Sequence, residues 1–284
     1  MEEKSCHPTV EVLLSCMHQE GFDIAYRTKI DSDVLIINQC GKDGYDEITV
    51  NGHTWRMIYT QERGAARSRN MALKNARGDY LLFCDDDEEL SDGYAKTIID
   101  AFKATPKASG VVFNVNRKNI QIPKKYYVIK KIRKAPSYRG YGTPMLAICS
   151  KKVAEKKIRM DERFGPGEKW SCGEDSIFEV DMRKNGLHIY ENPAIITTID
   201  YSQGSTWFHG RNEEYFYLKG AYAERVYGLW LSKMARIYYT AYRLRKGKEL
   251  SFSEKIKWMK YGMKGYKKNA SYTEFLEQIN RDKK

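Results

Sequence analysis

From residue 10 to residue 115, short apolar runs alternate with stretches of helical period, and this alternation restricts the possible folds more than any other property of the chain. Val10–Leu14 (VEVLL), Val34–Asn38 (VLIIN) and Trp55–Tyr59 (WRMIY) have the length and side-chain types of strands. A helix-compatible stretch around Phe22–Thr28 separates the first two. After the third, GAARSRNMALKNARGD places Ala66, Asn70, Leu73 and Ala76 on one helical face, with Gly78 positioned to end the helix. Asp79–Cys84 (DYLLFC) reads as a buried strand, followed by a helix near Tyr94–Ala104 and a strand at Gly110–Val115. Strands separated by helices imply right-handed crossovers and a mostly parallel sheet. The expected class is α/β: one Rossmann-like domain over residues 1–210, then a helical, basic extension over 211–284.

Asn116–Thr143 interrupts the alternation, being basic and Tyr-rich with Pro123 and Pro136, and reads as an excursion from the domain. Met145–Ser150 resumes as a strand, Gly165–Gly173 is a Gly/Pro/Trp loop, and GEDSIFEVDMRKNG has a helical pattern. Leu187–Tyr190 and Ala194–Ile199 are expected as late strands. A chain of 284 residues is long enough to bury a sizeable core, and no apolar run approaches the roughly 20 residues of a membrane span. The first residues lack an apolar leader stretch, so a cytoplasmic protein is expected. The six cysteines (6, 16, 40, 84, 149, 172) have neither zinc-ligand nor CxxC spacing. Cys16 and Cys84 fall in or beside apolar runs, where reduced thiols pack as small hydrophobes.

Charge is distributed unevenly. The net charge is +12, yet residues 225–284 hold sixteen Lys and Arg against five Asp and Glu, a surplus of eleven. The body is therefore almost neutral, and its function cannot be argued from basicity.

The sharpest local feature is Asp85-Asp86-Asp87, followed by Glu88 and Glu89, directly after the buried strand. In an open α/β sheet that edge binds ligands. Adjacent carboxylates repel unless donors or a cation neutralise them, and hard oxygen donors suit Mn²⁺ or Mg²⁺ held jointly with substrate phosphates. An acidic turn capping the next helix is the alternative use of such a run. Glu174 and Asp175 open a helix after the Gly165–Gly173 loop. That is an ordinary place for acids, at the positive end of a helix dipole, and also a suitable place for a fixed general base.

Together these parts resemble the inverting family 2 glycosyltransferases of the glycosyltransferase-A fold. The resemblance rests on Arg69-Asn70, Gly78-Asp79-Tyr80, Asp85-Asp86-Asp87 and Glu174-Asp175 in that order, and it extends over roughly residues 9–200. It implies a nucleotide-sugar-binding domain, with UDP as the default nucleotide and a saccharide or lipid-linked saccharide as acceptor. It further implies that Asp85, with Asp86, contacts donor hydroxyls, that Asp87 holds the divalent ion, that Asp175 is the base and that Glu174 supports it. Arg69, and Arg67 beside it, would face the nucleotide or its phosphates. Two positions depart from the family pattern. Ser15-Cys16-Met17-His18 stands where members often show Pro-Thr-Tyr-Asn, and Asn38 lies in the stretch where many carry a base-reading aspartate. Ser15 and Asn38 are accordingly expected on the donor side, since an amide offers both a donor and an acceptor. His209 is the candidate late metal ligand. Trp170 and Trp207 are candidates for stacking on an acceptor sugar, a core position being the other use of each.

The extension carries aromatics and aliphatics at helical spacing with Lys and Arg between them. It reads either as helices packed into the protein or as a peripheral contact with an anionic membrane surface. No nucleic-acid-binding module accompanies the charge, and no nucleic-acid partner is expected. Two other classes are set against the transferase reading. A nucleotidyltransferase would show a Gly-rich phosphate loop with Lys near the N-terminus, which residues 9–30 lack. A non-catalytic interaction protein on a transferase scaffold would not need the acidic motifs.

Overall fold

The structure, a computed structural model, describes residues 7–120, 126–203, 210–244 and 250–281. Two compact units are present: Met1–Met160 with Phe178–Ser205, and Asp161–Ile177 with Thr206–Lys284. The first unit contains β1 (Val10–Met17), α1 (Asp23–Arg27), β2 (Asp33–Gln39), β3 (Gly44–Val50), β4 (His53–Thr60), α2 (Ala65–Asn75) and β5 (Tyr80–Asp85). It continues through β6 (Glu88–Leu90), α3 (Tyr94–Ala104), β7 (Gly110–Lys118), β8 (Arg133–Lys134), β9 (Leu146–Cys149) and α4 (Ser150–Glu155). Helix α5 (Glu174–Lys184), whose first turn counts with the second unit, precedes β10 (Ile189–Asp200).

Among the described residues ten strands form one sheet in the order β3-β4-β2-β1-β5-β9-β7-β10-β6, with β8 paired to β10. β4, β2, β1 and β5 are parallel neighbours, as are β7 and β10. β9 runs antiparallel between β5 and β7, and β3, β6 and β8 are antiparallel additions. Both faces of the central strands are covered, so Val34 to Ile37 of β2 are all buried and the strand reads as an unbroken apolar run. Alternate residues serve opposite layers: Leu14, Ile36, Leu82 and Phe113 pack towards Ile98 and Phe102 of α3, whereas Leu13, Ile37, Leu81 and Phe83 pack with Ala72, Phe178 and Met182. Cys16 and Cys84 lie within the first of these layers.

The sequence pattern missed β3, β6 and the two-residue β8 and divided β10 in two. Six of the seven β3 residues are exposed, so they carry no apolar period. Its position comes from the turn at Asn51-Gly52, where both residues have positive φ. β10 is a single strand whose pairing with β7 shifts between Glu191 and Ile195, around Pro193. Part of the Tyr-rich excursion packs on this unit: the Asn114 amide both donates to the Ile129 carbonyl (3.0 Å) and accepts from its N–H (2.9 Å).

Gly78 also has a different role from the helix stop expected of it. Helix α2 ends at Asn75 with Ala76 in extended conformation. A Cβ on Gly78 would lie 2.6 Å from the Glu11 Cβ, so glycine is required by proximity. The buried Glu11 carboxylate accepts from the Arg77 and Gly78 N–H groups and from the Arg56 guanidinium, itself buried. Breaking a buried pair leaves an uncompensated charge. Arg56→Ala is therefore expected to cost about 3–5 kcal/mol, measured from the shift of the urea midpoint.

The second unit holds α6 (Glu213–Val226), α7 (Trp230–Arg243), α8 (Phe252–Lys267) and α9 (Tyr272–Arg281). Ser251 and Glu254 form a reciprocal capping box at the start of α8. Phe216, Ile237, Ala241, Trp258, Met259 and Met263 form its apolar core. Asp161 accepts from Arg163 and from Arg225 (Nε, 2.7 Å). Burial alone would raise the Asp161 carboxyl, but the two guanidiniums outweigh it and hold the group at about 2. Among the described residues no helix is long and apolar enough to cross a membrane.

Candidate functional site

In the first unit the carboxyl ends of β1, β2 and β5 lie side by side, with Ser15 of β1 in register with both Ile37 and Asp85. Asp85 is the last residue of β5. Its carboxylate oxygens accept from Arg69 Nη2 at 2.9 and 3.0 Å. Arg69 is buried, and through this pair it orients the Asp85 carboxylate. Ser15 is held in turn by α2, its Oγ accepting from Ser68 Oγ at 2.8 Å. The turn itself is clamped by Glu88, a buried residue that the sequence reading left without a role. Glu88 Oε1 accepts from the Asp85 N–H (3.0 Å) and Oε2 from Thr197 Oγ1 (3.1 Å). Burial, then the charge of Asp85, pushes the Glu88 carboxyl well above the usual carboxylate range.

Asp86 and Asp87 stand at the tip of this turn with surface open to solvent. Partial burial of its inner side, followed by the charges of Asp85 and Asp86, raises the Asp87 carboxyl to about 6. Asp86 is raised by the same two causes, Asp85 being its charged neighbour, and Arg27 partly offsets them. Such crowding of hard oxygen donors is what a divalent cation relieves. Among the described residues no three Asp, Glu, His or Cys side chains converge on one point. The turn could offer a divalent cation of the Mn²⁺ or Mg²⁺ kind one or two carboxylates, the number such an ion takes where it shares a phosphate-bearing ligand. His209 lies outside the described residues, as does Trp207.

Asn38 behaves differently from the expectation. It is fully buried, its Oδ1 accepts from the Gln19 N–H (3.1 Å) and its Nδ2 donates to the Gln19 carbonyl (2.7 Å). Its amide is occupied by protein backbone, so what it presents to the edge of the sheet is Gln19. Gln19 lines a shallow depression with Glu20, Asp23, Tyr26 and Arg27, and Arg27 donates to its side chain.

A second missed group stands at the end of β7. Arg117 lies 4.1 Å from the centroid of the Tyr126 ring and is hydrogen-bonded to Tyr201, whose hydroxyl is within electrostatic reach of Asp87. The Arg117 Nε is buried and has no hydrogen-bond partner among the described residues. Nothing in the sequence marked this arginine, because it falls in the basic excursion where cations are common.

Helix α5 opens with Glu174 and Asp175, both buried. The preceding loop depends on glycine at two points. Gly165 (φ +122°) leaves the Glu174 carboxyl 3.3 Å from where its Cβ would stand, and Gly173 (φ +116°) leaves Tyr222 at 3.1 Å. Both φ values are ones that residues with a Cβ rarely adopt. Trp170 does not present a face to a sugar here. It has no exposed surface, lies 5.0 Å from both Phe164 and Tyr266 between ring centroids, and receives Arg163 at 5.5 Å. It forms part of the core of the second unit, the alternative already open for it.

The profile of the family described as Glycosyl transferase family 2 matches residues 7–157. Among solved structures, S. aureus TarS 1–349 in complex with UDP-GlcNAc aligns with a TM-score of 0.60 at 13% identity over 93% of each chain. The same protein in complex with UDP gives 0.58 at 11% identity, again over 93% of each chain. Identities this low show a shared fold, which is of the glycosyltransferase-A type. No curated protein sequence matches the chain.

Proposed function

The chain belongs to glycosyl transferase family 2, and on that premise we propose that it transfers a sugar, with inversion, from a nucleotide-sugar donor to a hydroxyl of a saccharide or lipid-linked saccharide. The observation that carries this is the clamped acidic turn at the carboxyl edge of β5, with Asp85 fixed by Arg69 and Asp86 and Asp87 left at its tip. The UDP and UDP-GlcNAc complexes of the structurally similar S. aureus TarS support a UDP-linked donor.

In this reading Asp85, already oriented, accepts hydrogen bonds from donor hydroxyls, with Asp86 beside it and Ser15 on the neighbouring strand. Arg117, with an unpartnered buried Nε, supplies a cation for the diphosphate on the other side of Asp87. A divalent ion, Mn²⁺ or Mg²⁺, would be held by Asp87 together with donor phosphate oxygens and would neutralise charge on the departing diphosphate. The acceptor oxygen forms its bond to the anomeric carbon as the bond to the diphosphate oxygen breaks. The leaving group departs with that electron pair, and the acceptor proton passes to Asp175, with Glu174 orienting the acceptor. The enzyme would act in the cytoplasm, building surface polysaccharide or glycolipid, with its basic C-terminal segment resting on an anionic membrane.

A thermal-shift screen of nucleotide sugars with and without Mn²⁺ tests donor and metal together. A matching donor at a hundredfold excess over its Kd stabilises the fold by about 2.7 kcal/mol, and that rise in Tm is expected to vanish in EDTA. A donor shift unchanged by EDTA would remove the metal role of Asp87. No shift with any nucleotide sugar would remove the donor reading.

A further inference from the structure

We propose that the outer face of α7 is the surface that seats the enzyme on an anionic lipid bilayer, an inference that rests on the peripheral-membrane part of the proposed function and assigns it to named residues. Helix α7 carries two apolar stripes. The inner one is Met234, Ile237, Ala241 and Leu244, of which Ile237 and Ala241 are fully buried, and it packs into the core of the second unit. The outer one is Leu231, Ala235, Tyr238 and Tyr242, spaced i, i+4, i+7 and i+11, so that the four side chains share one side of the helix. All four are exposed. At the N-terminal end of α7, Leu229 (75% exposed) and Trp230 (66%) stand exposed next to Leu231 (73%). Phe252, also exposed, lies 6.4 Å from the Tyr238 ring. A helix that must bury one stripe has no need of a second, and solvent does not reward one.

Charge identifies the occupant. Arg236 and Arg243 also lie on α7, and Arg236 stands 6.0 Å from the ring centroid of the exposed Tyr239. On α8 and its C-cap, Lys257, Lys260, Lys264 and Lys268 recur at i, i+3, i+7 and i+11 and are all exposed. Residues 225–284 carry a surplus of eleven positive charges. A second copy of such a segment would be repelled. A soluble polyanion would satisfy the lysines but gain nothing from Leu231, Trp230 and the tyrosines. A bilayer with anionic headgroups satisfies both: lysines and arginines meet phosphate, leucine and tryptophan enter the acyl boundary, and tyrosine places its ring below and its hydroxyl at the headgroups. A lipid-linked acceptor would be presented in the same plane.

The test is flotation of the full chain with vesicles of phosphatidylcholine alone and of phosphatidylcholine with phosphatidylglycerol. The unmodified chain is expected to float with the anionic vesicles only, and less as salt rises. Replacing the outer stripe (Leu231→Ser, Tyr238→Ser, Tyr242→Ser) is expected to lower partitioning roughly ten- to a hundredfold. Its far-ultraviolet circular dichroism spectrum should stay helical, because all three side chains are exposed. Lys257→Glu with Lys264→Glu is expected to weaken binding to anionic vesicles as well. If the unmodified chain ignores both vesicle types, the peripheral-membrane reading falls, and this inference with it. If it binds and the triple variant binds equally, the reading stands and the assignment to α7 is wrong. If the triple substitution instead reduces a dimer to a monomer by light scattering, the face joins copies of the chain and the proposal is overturned.

Discussion

Asp175→Asn is expected to reduce the transfer rate by about 10²–10⁴, the usual contribution of a positioned general base, while leaving nucleotide-sugar affinity close to that of the unmodified chain. The substitution preserves the shape of the side chain and its ability to hydrogen-bond, but an amide cannot take the acceptor proton. Asp175 lies in the first turn of α5, so the variant also loses a favourable interaction with the helix dipole. That dipole contribution is about 0.3–1 kcal/mol; Asp175 is also buried, so a thermal melt of the variant beside the assay separates a change in stability from the catalytic defect. Glu174→Gln provides the contrast. Glu174 packs against Gly165, and if it orients the acceptor as proposed, its substitution should raise the acceptor KM more than it lowers kcat. Single-turnover transfer with isothermal titration of the donor separates the two effects. If Asp175→Asn keeps more than a tenth of the turnover, the base is another group and the role assigned to Asp175 is wrong.

How much of this could be read from the sequence depended on how each element obtains its stability. Strands β1, β2 and β5 are covered on both faces, so burial is written into them as apolar runs, and the acidic turn stood out because it interrupts such a run. β3 has no buried face, and only the Asn51-Gly52 turn marks it. The site divided along similar lines. Carboxylates at the end of a buried strand are unusual enough to be noticed one residue at a time. Arg69, Asn38 and Glu88 pair with residues distant in sequence, namely Asp85, Gln19 and Thr197. Side-chain chemistry alone did not reveal that Arg69 and Asn38 pair with protein groups at the edge of the sheet. Trp170 shows the same ambiguity for aromatics, because a ring suited to stacking on sugar is equally suited to a core. Arg117 and Tyr201 were hidden for the opposite reason, lying in a segment and at a strand end with no apolar or acidic pattern to draw attention to them.

The glycines of the C-terminal helices were the least legible residues, and they lead to the second large expected effect: Gly262→Ala destabilises the second unit. Inside a helical pattern a glycine reads as a weakness, because alanine in its place is worth about 1 kcal/mol of helix stability. Here the backbones of α6 and α8 approach so closely that no Cβ fits between them. A Cβ on Gly262 would lie 1.9 Å from the Tyr217 carbonyl oxygen, and one on Gly220 would lie 1.9 Å from the Met259 carbonyl oxygen. The obstructing atoms belong to helical backbone, so no rotamer change relieves the clash and the two helices must separate. Separation withdraws Phe216, Met259 and Met263 from the contacts that make up the core. Overpacking typically costs about 1–3 kcal/mol and more where backbone must move, so the net change should be a loss of at least about 2 kcal/mol despite the gain in helix propensity. Gly220→Ala should behave in the same way. Gly228→Ala is the control, since a Cβ there meets nothing within 4 Å. Thermal melts followed by the fluorescence of the buried Trp258 measure all three, and a higher Tm for Gly262→Ala would mean that the helices are not held together through these glycines.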